Sequence, residues 1–250
     1  MGALHSGHLT LIKIAVELTD VVIASIFVNP TQFNNQEDLE KYPRPIEKDI
    51  SLLETSGCSI LFRPDVEEMY AKDETWNMDV GHLENILEGK FRPGHYQGVT
   101  QIVKKLLDVT TPDYIFLGQK DFQQVMVLEH MVKALNIRTE VVMCPIVREE
   151  DGLALSSRNI HLSETDRQKA LILSKSLFYV KDNFEELSLE ELKSTAWRML
   201  ASEKTVTPEY FEICDAKTLL PLESKTANSI VALVAAQVGQ TRLIDNIILK

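Results

Sequence analysis

Cysteine is scarce in this chain. Cys58, Cys144 and Cys214 are too few, too scattered and odd in number to build a disulfide framework. None of them falls in a CxxC or Cys/His spacing that would hold structural zinc, and a reducing, cytoplasmic setting is expected. Long apolar runs are missing as well. A stretch such as Val21 to Val28 falls far short of the roughly 20 residues that a membrane-spanning helix needs. The start lacks the basic segment followed by an apolar one that marks a secretory signal. Basic residues number 26 against 37 acidic ones, and a net charge of −11 removes the broad positive surface that nucleic-acid or anionic-membrane binding requires. One local basic pocket for a nucleotide remains compatible with that balance. Repeats and low-complexity linkers are absent, and 250 residues with 44% hydrophobic content suit one sizeable globular domain, or one large and one small.

What the chain does have is alternation. Apolar periodicity predicts helices over Gly7 to Leu18, Ile46 to Thr55, Val99 to Val109 and Asp121 to Leu135. Between them lie strand patterns at Asp20 to Val28, Ser59 to Phe62, Tyr114 to Leu117 and Thr139 to Ile146. The first of these strands is apolar throughout, which predicts cover on both faces. Strand and helix alternating at this spacing predict a parallel α/β sheet over residues 1–148. After Arg158 the pattern changes. Ser163 with Asp166, and Ser188 with Glu191, read as helix starts, and strands follow at Tyr210 to Cys214, Ser229 to Ala235 and Thr241 to Ile248. A smaller α+β domain is expected over residues 149–250.

Five segments carry candidate chemistry. Met1-Gly2-Ala3-Leu4-His5-Ser6-Gly7-His8 sets an HxGH tetrapeptide where a helix begins. Helix N-termini present free N–H groups and about half a positive charge, which attract phosphate. His5 and His8 share a side of the chain and can donate to phosphate oxygens; beside a polyphosphate their pKa is expected to rise. Alone, the motif fits equally a pair of locally satisfied histidines, and a metal pair lacks a third ligand nearby. Asn29 and Gln32 follow the Asp20 to Val28 strand pattern, at the carboxyl end of a parallel strand where α/β sheets place ligands, although turn chemistry at Pro30 could account for Asn29. Lys90, Arg92 and His95 gather positive charge in a glycine-containing loop. Gly118-Gln119-Lys120-Asp121 joins a strand to a helix, with Lys120 placed for phosphate and Gln124 facing back toward the strand ends. In Leu155-Ser156-Ser157-Arg158, two hydroxyls and a guanidinium form a flexible anion clamp; taken alone, a surface loop would explain them.

Six ordered stretches, MGALHSGH, FVNPTQF, EGKFRPGH with its following GV, PDYIFLGQKDFQQ, REEDGLALSSRN and RLIDN, together resemble the pantothenate synthetase family from Met1 to the C-terminus. The HxGH element is shared with other nucleotidyl transferases, which form the rival reading, as does a non-catalytic nucleotide-binding remnant. The resemblance implies a Rossmann-like doubly wound sheet with a smaller C-terminal lid domain. It also implies a ligase that adenylates pantoate with ATP and Mg²⁺, then passes the acyl group to β-alanine. Met1 to His8, Gly118 to Asp121, Val147 and Leu155 to Arg158 would bind ATP. His5, His8, Lys120, Ser156, Ser157 and Arg158 would carry the catalytic charge. Gln32 and Gln124 would hold pantoate, with Asn29 and Tyr42 as further contacts and Asp49 placing Mg²⁺. A homodimer is implied too. In the family a helix and a strand precede this point. The sheet is therefore expected to lack its first strand, leaving Met1 and Gly2 without an anchor and the ATP site damaged, with activity reduced or absent.

Overall fold

The computed structural model describes residues 1–34 and 36–250. The chain divides into two compact units, Met1–Pro145 and Ile146–Lys250, a boundary slightly ahead of the one expected after residue 148. Val147 and Arg148 belong with the second unit because Val147 O accepts from Leu155 N at 3.0 Å and Arg148 bridges to Ala154.

In the first unit, helix α1 (Ser6–Leu18) leads to strand β1 (Ile23–Ser25). Helices α2 (Gln36–Lys41) and α3 (Ile46–Thr55) precede β2 (Ile60–Phe62). Short helices α4 (Val66–Met69) and α5 (Leu87–Phe91) precede α6 (His95–Thr110), β3 (Tyr114–Gly118), α7 (Phe122–Ala134) and β4 (Glu140–Cys144). Both pairings are parallel: Ile23 lies opposite Ile60 in β1–β2, and Tyr114 opposite Glu140 in β3–β4. The predicted α/β class is what the structure shows.

Two expectations change. The apolar run from Asp20 to Val28 yields only a three-residue strand, and it is covered on one face. Val22, Ala24 and Ile26 pack with Ile12 and Ala15 of α1 and Leu53 of α3. Val21 and Ile23 point the other way and are 58% and 39% exposed, beside Ile60 at 50%. The period-2 alternation of a strand puts neighbouring apolar residues on opposite faces, and an all-apolar run hides which face is buried. The second change concerns Met1, which is anchored. Its nitrogen donates to Ser25 O at 2.8 Å and its carbonyl accepts from Phe27 N at 3.2 Å, the bonding of a parallel ladder beside Ile26.

In the second unit, helices α8 (Glu164–Asp182) and α9 (Leu189–Ala201) precede an antiparallel meander of β5 (Val206–Asp215), β6 (Ile230–Val238) and β7 (Thr241–Ile248). Both predicted helix starts are realised. Ser163 Oγ accepts from Asp166 N at 3.0 Å, and Ser188 and Glu191 form a reciprocal capping box. Leu173, Leu177, Leu192, Ala196 and Leu200 from the helices meet Ile213, Ala232 and Val234 of the sheet in a continuous core.

Candidate active site

The opening segment is held by a carboxylate from α3. Asp49 Oδ2 accepts from Ala3 N at 2.8 Å and Oδ1 from Leu4 N at 2.7 Å. The residue is 1% exposed, so it is not a solvated surface acid; both its oxygens are turned to the backbone. This clamp fixes Ala3 at φ 49°, a left-handed turn that delivers the chain into α1. His5 is the N-cap of that helix, and Ser6 and Gly7 open it. Their helix end supplies amides without carbonyl partners in a preceding turn.

His5 N donates to His8 Nδ1 at 3.4 Å, and the two rings lie 4.0 Å apart. With Nδ1 accepting, the neutral His8 ring carries its proton on Nε2. Burial, then the Lys120 ammonium, lowers His5 to about 4, against a weaker pull from Asp121. Burial, then His5, lowers His8 to about 3, and Lys120 contributes there too. Lys120 Nζ itself lies 3.9 Å from Asp121 Oδ1. The end of β3 and the start of α1 thus converge: His5, His8, Lys120 and Asp121 share one electrostatic neighbourhood. The protein's own groups keep both imidazoles neutral, opposite in sign to the shift expected beside a polyphosphate, because burial and neighbouring cations act without an anion's field.

Gln32 ends a 3₁₀ turn, Pro30–Gln32, that follows β1. Its side-chain Oε1 accepts from Asn29 Nδ2 at 3.2 Å. Asn29 is 3% exposed and bonded on both ends of its amide, to Gly98 O and to the Tyr70 hydroxyl. Tyr42 packs edge-on against Phe33, ring centres 5.7 Å apart. Gln124 is half-buried in the first turn of α7.

The loop expected to gather positive charge does something else. Arg92 and His95 turn inward to the backbone of Gln32. His95 Nδ1 donates to Gln32 O at 2.9 Å, and Arg92 Nη1 donates to His95 Nε2 at 3.1 Å. Arginine can only donate, which fixes the imidazole as the Nδ1–H tautomer. Burial, then Arg92, lowers His95 to about 4. Lys90 alone stays on the surface, over the Phe91 ring. Behind this brace Gln123, given no role by the sequence, is 2% exposed: its Oε1 accepts from Glu88 N at 2.9 Å and its Nε2 donates to Leu83 O at 2.7 Å.

In the second unit, Ser156 Oγ accepts from Arg158 N at 3.2 Å and caps a 3₁₀ turn, Ser157–His161, in which Ser157 is buried. The stretch leading to Leu155 is braced, not loose. Arg148 reaches Asp245 at 2.6 and 2.9 Å, and Gly152 O at 3.0 Å. Arg167 pairs with Glu149 and Asp151 at 2.5 Å each. Asp245 thus explains part of the RLIDN segment.

The pantoate-beta-alanine ligase family model matches residues 1–248. The chain belongs to that family. A pantothenate synthetase of Bacteroides thetaiotaomicron is 44% identical over 99% of this chain and 88% of its own length. One from Clostridioides difficile is 46% identical over 98% and 88%. Among solved structures, pantothenate synthetase from Thermus thermophilus matches with TM-score 0.96 and 41% identity, covering all of this chain and 91% of that one. The ligase from Francisella tularensis, solved with beta-gamma ATP and beta-alanine, matches with TM-score 0.82 and 38% identity over 100% and 87%. Within the family, the convergence of the HxGH helix start with Lys120 is the feature of this chain to be explained chemically.

Proposed function

We propose that this chain makes pantothenate from pantoate and β-alanine, with ATP as co-substrate. A carboxylate oxygen of pantoate attacks the α-phosphorus, the bond to pyrophosphate breaks, and pantoyl adenylate forms. The amine of β-alanine then attacks the acyl carbon, the C–N bond forms with loss of a proton, and AMP leaves. No covalent enzyme intermediate is required. The gathering of His5, His8 and Lys120 around a helix N-terminus carries this reading: all three can donate to phosphate oxygens, and the work is charge stabilisation and positioning.

His8 would offer its Nε2–H to the triphosphate. The triphosphate's charge would oppose the local lowering of both imidazoles and draw them toward the charged form. Met1 to His8 and Gly118 to Asp121 are assigned to the nucleotide, Val147 to the base, and Leu155, Ser156, Ser157 and Arg158 to the triphosphate. Gln32 and Gln124 are assigned to pantoate. Among the described residues no group of three or more His, Cys, Asp or Glu is placed to hold a metal. Mg²⁺ therefore fits as a companion of ATP, bound by phosphate oxygens and water. A homodimer in the cytoplasm, with no nucleic-acid partner, belongs to the same reading; free thiols at all three cysteines and the net charge of −11 agree with it.

AMP release, measured with each substrate omitted in turn, tests the proposal. AMP should require ATP, pantoate and β-alanine together, and pyrophosphate should require only the first two. AMP formed without β-alanine, or no turnover with all three, would overturn it. Lys120→Ala should lower kcat by roughly 10²–10³-fold, as removing one preorganised donor does.

A further inference from the structure

We propose that Tyr70 is a positioning residue for the acid substrate: acting through Asn29, it holds the Gln32 amide so that its N–H edge, and not its carbonyl, faces the ligand. The inference deepens the reading above and rests on the assignment of Gln32 to pantoate.

Hydrogen-bond polarity fixes the chain of contacts. The Gly98 carbonyl can only accept, and it lies 3.0 Å from one end of the Asn29 amide, which must therefore be Nδ2. The opposite end, Oδ1, then faces the Tyr70 hydroxyl at 2.5 Å and the Thr31 hydroxyl at 3.1 Å, and both donate to it. The second Nδ2 proton of Asn29 points at the Gln32 side chain, 3.2 Å away, so the atom it meets is Oε1. Gln32 Nε2 is left as the outward end. A ligand there meets donors, which suits the carboxylate and hydroxyl oxygens of a hydroxy acid and disfavours a cationic amine.

Gly98 makes the geometry possible. A Cβ at that position would sit 2.3 Å from Thr31 O, so only glycine lets α6 come close enough for Asn29 to span the gap. Tyr70 is itself held, its ring 6.3 Å from Phe27 and beneath the Lys105 ammonium at 5.6 Å, and Lys105 is tied to Glu74 at 2.8 Å. Burial raises the Tyr70 pKa, which keeps the hydroxyl protonated and able to donate.

Tyr70→Phe removes the donor and keeps the ring contacts. The test measures pantoate affinity by calorimetry and KM for each substrate. Tyr70→Phe should weaken pantoate roughly five- to tenfold, the scale of one lost neutral hydrogen bond, with kcat and the KM values for ATP and β-alanine within twofold of the parent. In the Tyr70→Phe/Gln32→Ala double variant, pantoate should bind no worse than with Gln32→Ala alone. Asn29→Asp, nearly isosteric, places an acceptor against Gln32, turns its carbonyl outward and should weaken pantoate further. Unchanged pantoate affinity in Gln32→Ala would sink the assignment of Gln32 itself. A weakened Gln32→Ala beside an unaffected Tyr70→Phe, or equal losses for all three substrates, would overturn the role of Tyr70 and leave Gln32 in place.

Discussion

The carboxylate of Asp49 lies out of water on α3, and a charge in that position needs partners. Two backbone amides of the Met1–Leu4 segment meet the need, so one side chain stabilises both itself and the approach to the HxGH turn. Asp49→Ala would strand the Ala3 and Leu4 amides in a buried place. A loss of about 1–3 kcal/mol of stability is expected, read by chemical denaturation, together with weaker ATP binding; a variant as stable as the parent would contradict the clamp. The half-buried His5 and His8 and the buried His95 give a second residue-scale expectation. His5, His8 and His95 titrate near 4, 3 and 4 in the folded protein, against about 6.5 for an unperturbed imidazole. Above that value both states are neutral and the shifts contribute nothing. As pH falls below about 6.5 the unfolded chain binds protons that the folded one refuses, and stability is lost progressively toward pH 4. The thermal midpoint should drop across that window, and His95→Gln should flatten the slope by about one proton. A midpoint independent of pH from 6.5 to 4 would show the three rings to be freely protonated.

Elements differ in how much of them could be read beforehand. The α3 helix over Ile46–Thr55 and the β7 strand over Thr241–Ile248 fall where periodicity put them, and the two serine caps start α8 and α9 as their spacing predicts. The short helices α2, α4 and α5 were not legible, because so few residues hold too little periodicity and depend on tertiary partners. In α5, for example, a Cβ on Gly89 would meet the Leu83 and Glu84 carbonyls at 2.5 Å, so the helix exists by close backbone packing. The same division runs through the site. HxGH, the Gly118–Asp121 turn and the Ser156–Arg158 turn each run through consecutive residues, so a linear reading could pick each of them out. The partnerships of Tyr70 with Asn29 and of Gln123 with Glu88 join separate elements, and nothing in either segment announces the other. Gly98→Ala probes this level. Its Cβ would force α6 away from Thr31, and we expect weaker pantoate binding plus a stability loss of about 1–3 kcal/mol; an unchanged melting curve and pantoate affinity would mean that the 30–32 turn yields without cost.

At the scale of the whole molecule, the division after Pro145 separates two kinds of packing. The first unit builds its layers from parallel pairs with helices between them, whereas Ile146–Lys250 closes its own core between α8, α9 and a three-stranded meander. That second core draws only on residues of its own unit, from Leu153 to Ile247, and needs no strand from elsewhere. A piece of this size, with β6 central and hairpin-range connection between β6 and β7, can bury enough apolar surface to be stable alone. Residues 146–250 expressed by themselves should therefore unfold in one cooperative thermal transition with a near-ultraviolet signature of fixed aromatic side chains. Within that piece the Arg148–Asp245 pair offers an internal control. Asp245 is 3% exposed on its side chain, and Asp245→Ala would leave the guanidinium without its bidentate partner. Breaking such a pair from one side costs about 3 kcal/mol or more, so the midpoint of the isolated piece should fall by several degrees. A non-cooperative melt of the parent piece would mean that the second core is incomplete as drawn, and a cooperative melt unaffected by Asp245→Ala would mean that the ion pair braces nothing.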